Sequence, residues 1–244
     1  ASPPRLPLVI VLGMLASPLA GDPPASAPAD GEPDSRPNIL FIMSDDHAWQ
    51  AISAYGRPDG TRVNQTPSID RIASEGMRFD RFFVENSICA PSRAAFLTGC
   101  FSTRHGVPTN AEVFDGTQPT WPAMLQDSGY RTGVFGKWHL GYEPKFNPKT
   151  HGWHEFFGYL GGNVHYFNHR ETSDLHVLFS DDLPIYRDGY MTDLITESSV
   201  KFIEKTKEPY LLFISHESPH FPFQGPSDTA KNVTSENWMD LDQD

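Results

Sequence analysis

Three apolar runs of strand length constrain this chain more than any other feature: "NILFIM" (38–43), "YRTGVFG" (130–136) and "PYLLFISH" (209–216). Continuous rather than alternating apolar character marks strands buried on both faces, as in a parallel sheet covered by helices. Helical signals lie between them. "TPSIDRIASEG" (66–76) offers Thr66 as a cap, Pro67 in the first turn, Ile69, Ile72 and Ala73 on one face, and Gly76 as the stop. A second helix is predicted from Trp121 to Ser128, before Gly129. A third lies in "GYMTDLITESSVKFIEKTKE" (189–208), where Leu194, Ile195, Val200, Phe202 and Ile203 recur at helical spacing. Strands alternating with helices predict an α/β layered sheet with crossover connections.

Each strand run hands its C-terminal end to titratable residues. Ser44, Asp45, Asp46 and His47 follow the first, Lys137 and His139 the second, and His216 and His220 close the third. Ligands in open α/β sheets sit outside the carboxyl ends of the strands, so these groups are expected to converge in one pocket. The adjacent carboxylates of Asp45 and Asp46 suit a hard divalent cation, Ca²⁺ ahead of Mg²⁺; a solvated turn accounts for them equally well. Lys137 and His139, two apart on an extended tail, are expected on one side, facing an anion; the alternative is a surface lysine and a core histidine. In "HESPHFPF", Pro219 and Pro222 stiffen the loop that presents His220, and His216 reads as a satisfied core histidine. There is no Cys-x-x-Cys zinc spacing and no phosphate-binding glycine loop.

The 244 residues, 38% of them hydrophobic, suffice for a packed core. A net charge of −12 without a basic run argues against nucleic acid as a partner, while leaving room for an anionic small substrate. Arg5 and the apolar run from Leu6 to Ala20 read as a secretory signal peptide over residues 1–20, with cleavage after Ala20 as one option. The run is too short, and too interrupted at Pro18, for a stable membrane anchor. Residues 21–37, rich in Pro, Ala, Asp and Ser, read as a disordered linker ahead of an ordered region over 38–244. The expected location is secreted or periplasmic. The two cysteines, Cys89 and Cys100, do not make a disulfide scaffold.

Cys89 stands in "SICAPSRAAFLTG" (87–99). With Pro91 as the first helical residue, Cys89 falls just outside a helix N-terminus, where donors and Arg93 favour an anion and a low-pKa thiolate is expected. A buried structural cysteine is the plainer alternative. A thiolate phosphatase is disfavoured, since its arginine is expected six residues on, where Ala95 stands.

"CAPSRAAFLTG" (89–99) closely resembles the signature of the type I, formylglycine-dependent sulfatases. "NILFIMSDDH", "TPSIDRIASEGMRF", "TGVFGKWHLG" and "SHESPHFPFQGP" follow in the family's order, so the resemblance spans about residues 36–228. It implies an alkaline-phosphatase-like α/β fold and hydrolysis of sulfate esters, on aryl sulfates or sulfated carbohydrates. It implies that a maturation enzyme oxidises Cys89 to formylglycine (3-oxoalanine), whose hydrate attacks sulfur and later collapses to release sulfate. It further implies that Asp45 and Asp46, with residue 89, hold Ca²⁺. Arg93 steadies the formylglycine, Lys137 and His139 contact sulfate and the diol, and His220 is the acid for the leaving oxygen. "GWHEFFGYLGGNVHYFNH" (152–169) resembles a substrate-side segment, with Asn163 and His165 as contacts or as parts of a structural Gly-rich loop.

The family's later Asp-Asn pair and second sulfate-binding lysine have no counterpart here, and the tail after residue 226 does not resemble the missing part. The chain is therefore expected to be truncated, with a weaker metal site and an open sheet edge. Two other functions remain: a phosphoric or phosphonic ester hydrolase of the same fold, and an inactive remnant. Asn64 and Asn232 open glycosylation sequons.

Overall fold

The computed structural model describes residues 8–11, 36–56, 61, 63–171 and 173–228. The leader and linker over 1–37 lie outside these residues except for 8–11 and 36–37, and so do the tail after residue 228 and Asn232. No helix among the described residues is long and apolar enough to cross a membrane.

In chain order the elements are β1 (Leu8–Val11), β2 (Ile39–Ser44), α1 (Pro67–Glu75), α2 (Cys89–Thr98), α3 (Ser102–His105), α4 (Trp121–Asp127), β3 (Arg131–Lys137), β4 (Glu155–Tyr159), β5 (Leu178–Ser180), β6 (Leu183–Pro184), α5 (Met191–Lys205) and β7 (Tyr210–His216). The strands form one sheet in the order β1-β2-β7-β3-β4-β5-β6. The central pairs β2–β7, β7–β3 and β3–β4 are parallel; β1, β5 and β6 join antiparallel at the margins. The three apolar runs are thus adjacent strands. Leu8–Val11, within the expected leader, pairs antiparallel along β2, and β1 and β6 are the sheet's edge strands among the described residues.

Alternation along β7 explains its unbroken apolar character. Leu211 and Phe213 pack with Phe41, Val134, Phe156 and the α2 residues Ala94 and Leu97. Leu212 and Ile214 pack on the other face with Phe135 and the α5 residues Leu194, Ile195 and Phe202. Each such buried side chain contributes about 1.5–3 kcal/mol. Val200, expected on the apolar stripe of α5, is 47% exposed, and Ser199 faces inward instead. Thr66 stands at the cap position of α1 but makes no capping bond. Its hydroxyl donates to Asp70 Oδ1 at 2.9 Å and accepts from the Ser53 amide at 3.0 Å.

Two glycines set how closely the central strands approach. Gly136 has φ +116, and a Cβ there would lie 2.0 Å from the Ser215 carbonyl oxygen; a Cβ on Gly158, φ +151, would lie 2.0 Å from the carbonyl oxygen of Gly136. Only glycine combines that φ with so short an approach. Lys137 is the next residue, so this packing fixes where its side chain starts.

Candidate active site

Register brings the strand ends to one level. Ser44 pairs with His216, and Gly136 with Ser215. Asp45, Glu217 and Lys137 therefore leave three neighbouring strands, β2, β7 and β3, side by side. α2 lies over the same end.

Asp45 is the centre. It is 4% exposed, and its Oδ2 meets Arg93 Nη2 at 3.0 Å and Lys137 Nζ at 2.5 Å. The lysine contact is a short, buried ion pair. Burial pushes the Asp45 carboxyl up, but Lys137, Arg93 and His220 outweigh it and hold it well below the usual carboxylate range. Arg93 uses its other nitrogen on the Lys137 carbonyl (2.8 Å) and on Ser215 Oγ (2.6 Å), and the Ser215 hydroxyl donates to that same carbonyl. Arg93 thus ties α2, β3, β7 and the residue after β2 together. Lys137 is fully buried, so the surface-lysine alternative fails.

Cys89 is the first residue of α2, not the residue before it, and Ile88 takes the cap position. Pro91 is third in the helix, a place where the absent N–H costs nothing because first-turn amides have no helical acceptor. The low-pKa thiolate expected at this helix end is not found. Burial pushes the thiol up, Asp45 and Asp46 reinforce it, and Lys137 and Arg93 only partly oppose it. Cys89 and Cys100 are both unbridged. As a thiol, then, Cys89 is a poor nucleophile. Asn110, unnoticed in the sequence, anchors this turn by accepting the Ala90 amide at 2.9 Å.

Ligand atoms of Asp45, Cys89 and His220 all lie within 4.8 Å of one another. Asp46 approaches from the side, its Oδ2 3.7 Å from His220 Nε2. Asp46 (φ +53) and His139 (φ +59) both hold left-handed backbone, a strain of about 1–3 kcal/mol of the kind that gathers at functional sites. His139 therefore reaches the cluster through a turn, not by the extended alternation expected of it. Burial, then Lys137 and Arg93, push its pKa down to about 3, and its Nδ1 is enclosed without a partner among the described residues. Burial and Lys137 also lower His220, against the opposing pull of Asp45, the Phe221 carbonyl and Asp46.

The substrate-side residues separate. Asn163 is half-buried and follows Gly162, whose missing Cβ leaves room for the His139 ring: a carbon there would sit 2.7 Å from His139 Nε2. His165, expected as a contact, is fully buried, and its Nε2 meets the Gln224 amide at 2.8 Å. It braces the loop and is not presented to a ligand. His216 is not a satisfied core histidine either. Its Nδ1 is enclosed without a partner among the described residues, and burial holds it at about 4. Sequence reasoning passed over Ser215, Glu217 and Tyr159. Alternation along β7 places Ser215 on the α2 side, opposite Arg93; nothing local marks the other two.

The carboxylates at this site suit a hard divalent cation. Asp45 and Asp46 supply carboxylate oxygens beside residue 89, and Oδ2 of Asp45 is already shared with two cations. The Cys89 sulfur is too soft a donor; an oxygen at that position completes a fitting trio, with the rest of a six- to eight-oxygen shell left to other donors.

Comparison with known proteins agrees with this geometry. Residues 37–240 match the sulfatase family. The chain is 38% identical over 191 residues to the N-acetylglucosamine-6-O-sulfatase of Bacteroides thetaiotaomicron, covering 78% of this chain and 32% of that protein. It is 33% identical over 216 residues to the N-acetylgalactosamine-6-sulfatase of Homo sapiens, covering 80% and 39%. A solved complex of a protein with its substrate D-glucosamine-2-N,6-O-disulfate superposes with TM-score 0.66 at 38% identity, covering 78% of this chain and 36% of that one. Ps i-CgsB with k-i-k-neocarrahexaose superposes with TM-score 0.71 at 26% identity, covering 78% and 46%. The mostly parallel sheet flanked by helices is the alkaline-phosphatase-like fold of these neighbours. The chain spans about a third to two-fifths of the length of the curated relatives it matches. With its signature segment, its strand-end cluster and matches over most of its length, the chain belongs to the sulfatase family.

Proposed function

We propose that this chain carries the catalytic centre of a sulfuric ester hydrolase acting on a sulfated carbohydrate, with Cys89 oxidised to formylglycine by a maturation enzyme. The observation that carries the reading is the gathering of residue 89 with Asp45 and His220 within 4.8 Å, over a base of buried Lys137 and Arg93. The raised thiol pKa makes sense in this light, because an aldehyde hydrate at position 89 supplies an oxygen nucleophile that the thiol cannot. Lys137, the nearest wholly buried ammonium, offsets the charge of the bound sulfate, and Arg93 holds Lys137 and Asp45 in register. His139, neutral through burial, orients an oxygen of sulfate or of residue 89 by hydrogen bonding. His220 Nε2 gives a proton to the departing alcohol oxygen. Ca²⁺, when bound by Asp45, Asp46 and an oxygen on residue 89, would stabilise anionic oxygen there. Asn163, half-buried and next in the chain to Gly162, is the candidate contact to the sugar.

The substrate class rests on the relatives, whose names specify 6-sulfated amino sugars. The leader over residues 1–20 supports export to the periplasm or outside the cell. The test is turnover of 4-nitrophenyl sulfate against 4-nitrophenyl phosphate by chain produced alongside the maturation enzyme. Preference for sulfate, abolished in Cys89→Ala, supports the reading. Preference for phosphate assigns the same site to phosphoric or phosphonic esters, and no turnover of either assigns it to an inactive remnant.

A further inference from the structure

Resting on that reading, we infer that Glu171 and Tyr142 form a sugar-recognition subsite beside the sulfate position, one that favours a free amine on the substrate and disfavours a second sulfate. Two consecutive glycines after β4 place it. A Cβ on Gly162 would lie 2.7 Å from His139 Nε2, and a Cβ on Gly161 would lie 2.6 Å from the Tyr142 hydroxyl oxygen and 2.9 Å from Glu171 Oε2. Neighbouring Cα atoms are only ~3.8 Å apart, so the pair stands one residue along the same loop from the His139 ring. Tyr142 follows β3 and Gly161 follows β4, two paired parallel strands, which puts the subsite at the carboxyl end of the sheet with the rest of the cluster.

The carboxylate is held in place. Glu171 Oε2 accepts the Tyr142 hydroxyl at 2.9 Å, and Oε1 accepts the Ser173 hydroxyl at 3.1 Å. The Glu171 amide donates to the Leu175 carbonyl at 3.1 Å, and its carbonyl accepts the Asp174 amide at 2.8 Å, so the backbone beneath is fixed as well. It lacks a counter-ion. No lysine, arginine or histidine pairs with Glu171 among the described residues, and neighbouring Arg170 is engaged by Asp174 at 3.1 Å. A half-buried carboxylate whose oxygens each accept one hydroxyl keeps its charge and has lone pairs to spare. The Tyr142 ring, 52% exposed, adds a flat apolar face against which a pyranose can lie. Such a carboxylate attracts an ammonium on the sugar, accepts a hydrogen bond from a neutral amide, and repels an N-sulfate.

Calorimetric binding to the full chain carrying Cys89→Ala, with Ca²⁺ present and at about pH 6, where a sugar amine is protonated, tests this without turnover. Three ligands differ only on the C2 nitrogen: glucosamine 6-sulfate, N-acetylglucosamine 6-sulfate and glucosamine 2-N,6-O-disulfate. Affinity is expected to fall about tenfold from the first to the third, or about 1.4 kcal/mol. Adding Glu171→Gln is expected to level the three to within about twofold. Tyr142→Phe, which keeps the ring but releases the carboxylate, is expected to give an intermediate ratio. A disulfate bound as tightly as glucosamine 6-sulfate, or a ratio that neither substitution moves, overturns the inference while leaving the functional reading intact. Failure of all three ligands to bind defeats that reading, and the inference falls with it.

Discussion

The Lys137 ammonium lies 2.5 Å from Oδ2 of Asp45, and both side chains are buried where β3 and β2 end. Neither charge has bulk water to fall back on, so each depends on the other and on Arg93. Lys137→Met is expected to destabilise the chain by about 3–5 kcal/mol, the usual cost of leaving one member of a buried pair uncompensated. Asp45→Asn added to it should recover part of that loss. Chemical denaturation midpoints measure both; a loss under about 1 kcal/mol for Lys137→Met would show the pair to be solvated.

Gly136→Ala brings a carbon to within 2.0 Å of the Ser215 carbonyl at φ +116. Strain in φ alone costs about 1–3 kcal/mol, and strand separation adds to it. Gly99→Ala, at φ +65 with nothing within 4 Å, is expected to cost only about 1–2 kcal/mol. Denaturation midpoints of the two variants should differ accordingly; equal midpoints would contradict the close strand contact.

Stability should fall on both sides of a maximum just below neutrality. Burial holds His139 at about 3 and His151, His165 and His216 at about 4, against an ordinary 6.5. These folded-state values lie below the unfolded one, so the stability they contribute is present above pH 6.5 and is lost as pH falls toward 4. The lowered carboxyl of Asp45 extends the loss to lower pH. Glu217 has the opposite sign: raised from 4.5 to about 8, it removes stability as pH rises through that window. Thermal midpoints across pH 4 to 9 should show the maximum, and Glu217→Gln should flatten the alkaline side. A monotonic rise to pH 9 in the wild type would contradict the burial of Glu217.

Calcium is expected to raise the thermal midpoint. At one hundred times Kd the stabilisation is about 2.7 kcal/mol, and Asp46→Ala should abolish the response. A midpoint unmoved by millimolar Ca²⁺ would mean that Arg93 and Lys137 satisfy Asp45 on their own.

Much of this was legible from the residues. The apolar runs at 38–43, 130–136 and 209–216 became β2, β3 and β7, because burial on both faces requires unbroken apolar sequence. Asp45, Asp46, Lys137, His139 and His220 did converge, because neighbouring parallel strands end on one level; His47 and His216 stay outside the cluster. What escaped depended on distance in the chain. Glu217 is buried by a loop more than fifty positions away, at Val164, and Asn110 reaches α2 from twenty residues on. The thiol of Cys89 was misjudged because a helix N-terminus says nothing about burial, and burial dominates its pKa. His165 looked like a ligand contact and is a brace, since the pattern could not reveal Gln224 as its partner.

The central claim is that residue 89 acts as an oxidised carbonyl, and mass spectrometry of the proteolytic peptide carrying it tests that most directly. Produced with the maturation enzyme, the peptide is predicted to be lighter by about 18 Da, the change from CH₂SH to CHO, beyond the sulfur oxidation states that add mass. A peptide found only at the mass of the unmodified cysteine, in a preparation that hydrolyses a sulfate ester, would contradict the account.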